Sequence, residues 1–304
     1  MTVLVADVGG TNTRIGMSDG GVVTQISRYE NDAYPSFDAV VAKYLSDVAK
    51  ASLTGAVIAV AGPVTSTRAK LTNRDWSFDS AQLRAALPGA PKVFLINDLV
   101  ALGHALPHLA EGQHSTLLSG AEQPLNSQRV VAGVGTGFNV CLLRDGAVME
   151  AELGHASLPS SVGSVLHDAL GDGAAQFTTN EAVLSGRGLS RLYHVMTGRS
   201  LAGAQIIAAA DAGDCQSARE AVMLLARLLG CFSRELVFQY LPFGGIHFAG
   251  GAARGVLGSD ARDAFVAAFL NDGPFHEQVA QVPVHVIADD LAALIGAARF
   301  FERG

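Results

Sequence analysis

A chain of 304 residues with 49% hydrophobic and 16% charged side chains can bury one large core or two separate ones, which excludes disorder as its main state. A formal charge of −7, with no run of five like charges, argues against a nucleic-acid-binding or anionic-membrane surface, so neither partner is expected. Cys141, Cys215 and Cys231 are too few and too far apart for a disulfide framework or a zinc knuckle, which suits a reducing cytoplasm, and no stretch of 18 uninterrupted apolar residues occurs.

Apolar segments of strand and helix period alternate along the chain, which predicts an α/β protein. The opening MTVLVADVGG lacks a basic region and contains Asp7, so Thr2–Asp7 reads as a buried strand and not as a signal peptide. Ser18-Asp19-Gly20-Gly21 is a hairpin turn joining Arg14–Met17 to Val22–Arg28. Ser36 caps a helix whose apolar stripe is Phe37, Val40, Val41, Tyr44, Leu45 and Val48. Ala56–Ala61 is a second buried strand, stopped by Gly62-Pro63. Phe78–Leu87 is a short helix ended by Pro88-Gly89. Lys92–Ile96 is a third strand that runs into Asn97-Asp98 and another helix.

Leu106–Asn126 reads as a connection with at most a short strand, and the lobe boundary is expected near residue 108. Residues 1–108, completed by a C-terminal helix at 290–304, form one expected lobe, and residues 109–289 the other. In the second, Val130–Val134 and Phe138–Leu143 are strands around Gly135-Thr136-Gly137, and the chain turns helical after His155. The longest helix is expected over Cys215–Tyr240, further strands at Ile246–Ala249 and Val284–Ile287, and an apolar helix at Asp290–Phe301. No short-period repeat is visible.

Three glycine turns carry the chemical signal. Asp7-Val8-Gly9-Gly10-Thr11-Asn12 follows the first strand; its glycines let backbone N–H groups approach an anion, and Thr11 adds a hydroxyl. Asp7 is placed to hold Mg²⁺ through water, since that ion keeps much of its hydration shell. An ordinary β-turn is the plain alternative. Gly133-Val134-Gly135-Thr136-Gly137 lies between two strands, and the strand that follows it speaks against a dinucleotide-binding turn. Two glycine hairpins, one per lobe, suit a phosphate clamp. Phe248-Ala249-Gly250-Gly251-Ala252 gives either close approach to a flat group such as a nucleobase or merely tight packing.

In this order the turns resemble the two phosphate loops and the adenosine loop of the actin-like ATPase and hexokinase superfold. INDLVAL (96–102), AELGHASL (151–158), EAVLSGRGLSRLY (181–193), FAGGAARGVL (248–257) and TNRDWSF (72–78) narrow the resemblance to the bacterial glucokinase family over nearly the whole chain. The resemblance implies a two-lobed, ribonuclease H-like α/β fold and ATP-dependent phosphorylation of a hexose, with D-glucose as first candidate. It implies Asp98 as catalytic base and Asn97, Asp98, Glu152, His155 and Glu181 as sugar-binding residues. It implies nucleotide contacts from Gly9, Gly10, Thr11 and Asn12, from Gly135, Thr136 and Gly137, and from Gly250 and Gly251, with Mg²⁺ and a homodimer. It also puts Trp76 near the cleft, where its emission would report closure.

Departures from the family pattern are Ala151 and Leu153 for the glycines flanking the sugar-binding Glu, Arg187 for the proline of SGPG, and ADDLAALIG (288–296) for HDNPGLLG. Leu153 raises the question of sugar preference, and Arg187 reads as a surface charge. Asp98 has a bland alternative as helix N-cap. The Glu-x-x-His spacing at Glu152/His155 and Glu111/His114 matches a di-iron pair, but flanking glycines deny the helices such a site needs. A kinase for another sugar and a non-enzymatic sugar-sensing regulator are the alternatives.

Overall fold

A computed structural model describes residues 1–48, 52–273 and 275–303. The chain divides into two compact units: residues 1–110 with 289–304, and residues 111–288.

The first unit begins with β1 (Val3–Val8), β2 (Asn12–Asp19) and β3 (Val22–Glu30), three antiparallel strands. Gly20 and Gly21 make the β2–β3 turn with φ of +55° and +75°, the left-handed pair that a two-residue hairpin needs. α1 (Phe37–Asp47) follows, its first turn capped by the Ser36 hydroxyl on Ala39 N–H. β4 (Gly55–Val60) is buried along its whole length, as its unbroken apolar run requires. β5 (Arg68–Lys70) and β6 (Ser77–Asp79) form a small ribbon, then α2 (Ser80–Ala86), β7 (Lys92–Asn97) and α3 (Asp98–Ala105). The expected helix from Phe78 is corrected here: Phe78 lies in β6, and the Asp79 carboxylate caps α2 by accepting from the N–H groups of Ala81 and Gln82. The sheet order is β3-β2-β1-β4-β7, with β1, β4 and β7 parallel. The C-terminal helix Ala292–Arg303 packs on α3. At Gly296 even a methyl group would sit 1.7 Å from the Ala101 carbonyl oxygen, so only glycine permits that approach.

The second unit opens with β8 (His114–Leu118), the one strand within the expected connection 106–126. β9 (Arg129–Val134), β10 (Phe138–Arg144) and β11 (Ala147–Glu150) form an antiparallel set. The helical stretch comprises α4 (Ser160–Leu170), α5 (Asn180–Val183), α6 (Gly186–Thr197), α7 (Gly203–Asp211) and α8 (Gln216–Tyr240). β12 (Ile246–Ala249), α9 (Gly251–Leu257), α10 (Arg262–Phe269), α11 (His276–Ala280) and β13 (Val284–Ile287) complete it. The buried face of α8 forms the spine of the core, with Leu225, Leu229, Phe232 and Leu236 against strand residues such as Val130, Phe138 and Ile246.

Sheet order β11-β10-β9-β12-β13-β8 reproduces the pattern of the first unit, with an extra edge strand. In both units a meander of three strands is followed by parallel strands on the other side of its first member. The duplication lies in topology and not in residue spacing, which is why no short-period repeat appears in the sequence.

Candidate active site

In the first unit, Val8, Val60 and Asn97 lie in one row across β1, β4 and β7. The turn after β1 and the start of α3 therefore share the carboxyl edge of the parallel strands, where open α/β sheets bind ligands. The turn Gly9-Gly10-Thr11 is braced from within. Buried Asn31 donates through Nδ2 to the carbonyls of Gly9 at 2.8 Å and Gly10 at 3.3 Å, and its backbone N–H donates to Thr11 O at 2.8 Å. Its Oδ1 accepts from the Thr13 hydroxyl at 2.7 Å, and Arg74 Nε adds a bond to Gly10 O at 3.3 Å. In a planar trans peptide the N–H points opposite to the carbonyl. With the carbonyls of Gly9 and Gly10 turned inward, the N–H groups of Gly10 and Thr11 face the other way, and Thr11 is exposed. Asn12 begins β2 and accepts from Arg28 Nε at 3.1 Å.

Asp7 pairs across the hairpin with Arg14, whose Nη1 donates to Asp7 Oδ2 at 3.1 Å while Nη2 lies 3.2 Å from Asp290 Oδ2. Burial pushes the Asp7 carboxyl up, and Arg14 pulls it part of the way back. Asp98 is the first residue of α3. The capping role falls to Asn97, whose Oδ1 accepts from Leu99 N–H at 2.9 Å and whose Nδ2 donates to Gly62 O at 3.2 Å. Asp98 Oδ1 shares the Leu99 N–H at 3.0 Å. Asp98 retains some open surface but lies within dense protein. That burial, joined by the negative charge of Asp7, pushes its carboxyl up to about 7 despite the backbone N–H donors at Leu99 and at Asp98 itself. It is thus a carboxyl poised to exchange a proton near neutral pH.

Among the described residues no group of three or more His, Cys, Asp or Glu side chains is able to hold a metal ion. An all-protein cage is therefore excluded for them. A hydrated Mg²⁺ needs only one or two carboxylates, and Asp7, with Arg14 as its counter-charge, fits that need.

In the second unit, the turn Gly135-Thr136-Gly137 closes on itself through Gly135 N–H to Gly137 O at 3.0 Å, and Gly135 O accepts from Gly186 N–H at 2.8 Å. Register Ala249 to Gly133 brings the end of β12 alongside. Gly250 has φ +103°, and a Cβ there would lie 2.5 Å from Val134 O, so the backbones meet as only glycine allows. Gly251 and Thr136 are exposed.

The expected sugar residues of this unit gather on the same hairpin. Asn139 of β10 donates through Nδ2 to Ala151 O at 2.6 Å and to Glu152 Oε2 at 3.1 Å. Buried Asn180 donates to Leu153 O at 2.8 Å and anchors the turn that carries His155. Gly154 is obligatory, since a Cβ would lie 2.1 Å from Phe138 O. Glu181, in the first turn of α5, accepts at Oε2 from Phe138 N–H at 3.1 Å and at Oε1 from Arg187 Nη2 at 2.9 Å. Glu152 and His155 are exposed. Leu153 packs against the core of its unit, and Trp76 is buried in the core of the first, with the Arg74 guanidinium 5.2 Å from its ring.

Sequence reasoning missed Arg14, Asn31, Asn139, Asn180 and Arg187. Arg14 was findable: a hairpin in which four residues, Gly9 to Asn12, separate the paired Val8 and Thr13 sets it directly opposite Asp7. The asparagines were not, because each acts on backbone brought near only by the fold.

A family model described as Glucokinase matches residues 4–304. A glucokinase of Shigella dysenteriae serotype 1 is 32% identical over 312 residues, spanning 97% of this chain and 95% of that protein. The crystal structure of a glucokinase from an Antarctic psychrotroph matches with TM-score 0.82 at 28% identity, covering 100% of this chain and 99% of the other. Glucokinase from Balamuthia mandrillaris in complex with glucose matches with TM-score 0.75 at 21% identity, over 100% and 94%. A ROK family glucokinase from Streptomyces griseus in complex with glucose and AMPPNP gives 0.67 at 20%, over 100% of both chains. The last two likenesses concern the fold, which is that of the actin-like ATPases.

Proposed function

The chain belongs to the glucokinase family, and from that membership we infer that it transfers the γ-phosphoryl group of ATP to D-glucose, giving glucose 6-phosphate and ADP. The observation that carries the mechanism is Asp98: a carboxyl at the carboxyl edge of a parallel sheet, raised to about 7 by burial and by Asp7.

Asp98 accepts the proton of the sugar 6-hydroxyl as that oxygen attacks phosphorus, and ADP leaves with the electron pair of the broken P–O bond. Phosphoryl transfer needs positioning and charge neutralisation more than covalent help. Glu152 and Glu181 accept hydrogen bonds from sugar hydroxyls, and charge-assisted bonds of this kind fix a ring more firmly than neutral ones. His155 supplies a further hydrogen-bonding edge, while Asn97 holds the start of α3 so that Asp98 is presented correctly. The outward N–H groups of Gly10 and Thr11, together with Asn12, serve the phosphates. Gly135, Thr136 and Gly137 do the same, and Gly250 with Gly251 leaves room for the adenosine. Asp7 would hold Mg²⁺ through water, and that ion supplies charge neutralisation on the phosphates.

A coupled assay of the purified protein with ATP and a panel of hexoses tests the reading. ATP-dependent formation of glucose 6-phosphate, with glucose the preferred sugar, is expected. Phosphorylation of no hexose would overturn it, and preference for another sugar would overturn the substrate assignment alone.

A further inference from the structure

We propose that Arg187 is a positioning residue for sugar recognition: by gripping Glu181 it fixes that carboxylate and balances its charge, favouring neutral hexoses over cationic amino sugars. The inference rests on the reading that Glu181 binds the sugar.

Both oxygens of Glu181 are held, Oε2 by Phe138 N–H at 3.1 Å and Oε1 by Arg187 Nη2 at 2.9 Å. Each carboxylate oxygen accepts about two hydrogen bonds, so each keeps one acceptor position for a hydroxyl, now in a fixed direction. The backbone geometry of the pair is itself locked. Ser185 caps α6 by accepting from Gly188 N–H at 2.9 Å, and its hydroxyl donates to Glu181 O at 2.8 Å, tying the first turn of α5 to the start of α6.

Arg187 is the second residue of α6, where the family pattern has proline. Proline suits a helical first turn but offers no side-chain donor. A cation there opposes the helix dipole, so arginine at this position calls for a reason of its own, and the ion pair with Glu181 supplies one. Arg187 and Glu181 retain 54% and 28% of their side-chain exposure, so the pair contributes little to folding. Its effect should therefore appear in binding. The same guanidinium lies 3.7 Å from where a Cβ on Gly137 would be, so the pair also borders the glycine turn of its unit.

The test compares the full-length wild type with Arg187→Ala, Arg187→Lys, Glu181→Gln and the double variant Arg187→Ala/Glu181→Gln. Steady-state kinetics are measured on glucose, and on glucosamine at a pH where its amine is protonated. Arg187→Ala should raise KM for glucose about three- to tenfold while the Tm and KM for ATP hold. It should also raise the glucosamine-to-glucose ratio of kcat/KM severalfold, because an unbalanced carboxylate attracts the ammonium group. Arg187→Lys should restore the ratio, which depends on charge, and only part of KM, which depends on the planar fork. In the Glu181→Gln background, removing Arg187 should change KM no further. If Glu181→Gln raises KM for glucose while Arg187→Ala moves neither KM nor the ratio, the role of Arg187 is overturned and the sugar-site reading stands. If Glu181→Gln itself leaves KM for glucose unchanged, the sugar-site reading fails and this inference falls with it.

Discussion

Each unit sets a three-residue glycine turn after the first strand of its meander and an acidic residue close by, yet the two acids are furnished in opposite ways. Asp98 sits in dense protein with the negative charge of Asp7 among its neighbours, and the two together push its carboxyl up to about 7. Glu181 has an N–H donor on each oxygen, one from the backbone of Phe138 and one from the Arg187 guanidinium. The first arrangement raises the proton affinity of the carboxylate above that of an ordinary one and suits a base. The second spends the carboxylate's capacity on fixing its direction and suits a holder of hydroxyls.

Exchanging the functional group of each acid should break the comparison most visibly. Asp98→Asn keeps size and most hydrogen bonding but removes the proton acceptor, so kcat should fall about 10²–10⁴-fold while KM for glucose moves much less. The sign of its stability effect is also fixed. A carboxyl raised from 3.8 to about 7 in the folded state lends stability below its ordinary pKa, and that stability is lost as pH rises through about 7. The variant should therefore melt higher than the wild type above neutral pH, a gain readable by calorimetry.

Glu181→Gln should show the opposite kinetic split. A hydrogen bond to a charged group contributes about 1.5–3 kcal/mol, so KM for glucose should rise roughly tenfold or more with KM for ATP little changed. A smaller effect sharpens the point. A Cβ on Gly137 would fall 2.4 Å from Glu181 Oε2, at the far end of a flexible side chain. Gly137→Ala should fold normally, displace that carboxylate, and raise KM for glucose by a few-fold. An unchanged KM would mean that the exact direction of Glu181 does not matter.

Much of this could be read from the chain itself. Buried strands such as Val3–Val8, Ile246–Ala249 and Val284–Ile287 announce themselves by largely apolar runs, each with a single polar interruption, and the helix at Phe37 by Ser36 in its capping position. Asp98 was visible because INDLVAL (96–102) resembles the family motif at a point where a strand ends and a helix begins; the junction alone fits a helix cap equally well. What stayed hidden depends on contacts distant in sequence. Asn31 braces a turn about twenty residues earlier, and Asn180 bonds Leu153 across 27 residues. Arg187 looked like a surface charge because its partner lies six residues back, beyond the reach of one helical turn, and meets it only through the bend at Ser185. Burial is likewise not legible in a motif: Trp76 lies buried in the core of its unit, and Leu153, partly buried, packs against the core of its own.

The pH dependence of kcat/KM for glucose tests the base role most directly, because it reports ionisation in the free enzyme. An Asp98 base raised to about 7 predicts that wild-type kcat/KM climbs with pH below that value, tenfold per unit, and levels off above it, with the climb abolished in Asp98→Asn. A wild-type profile that is flat through neutrality, or an Asp98→Asn enzyme that keeps both the climb and near-normal turnover, would contradict it.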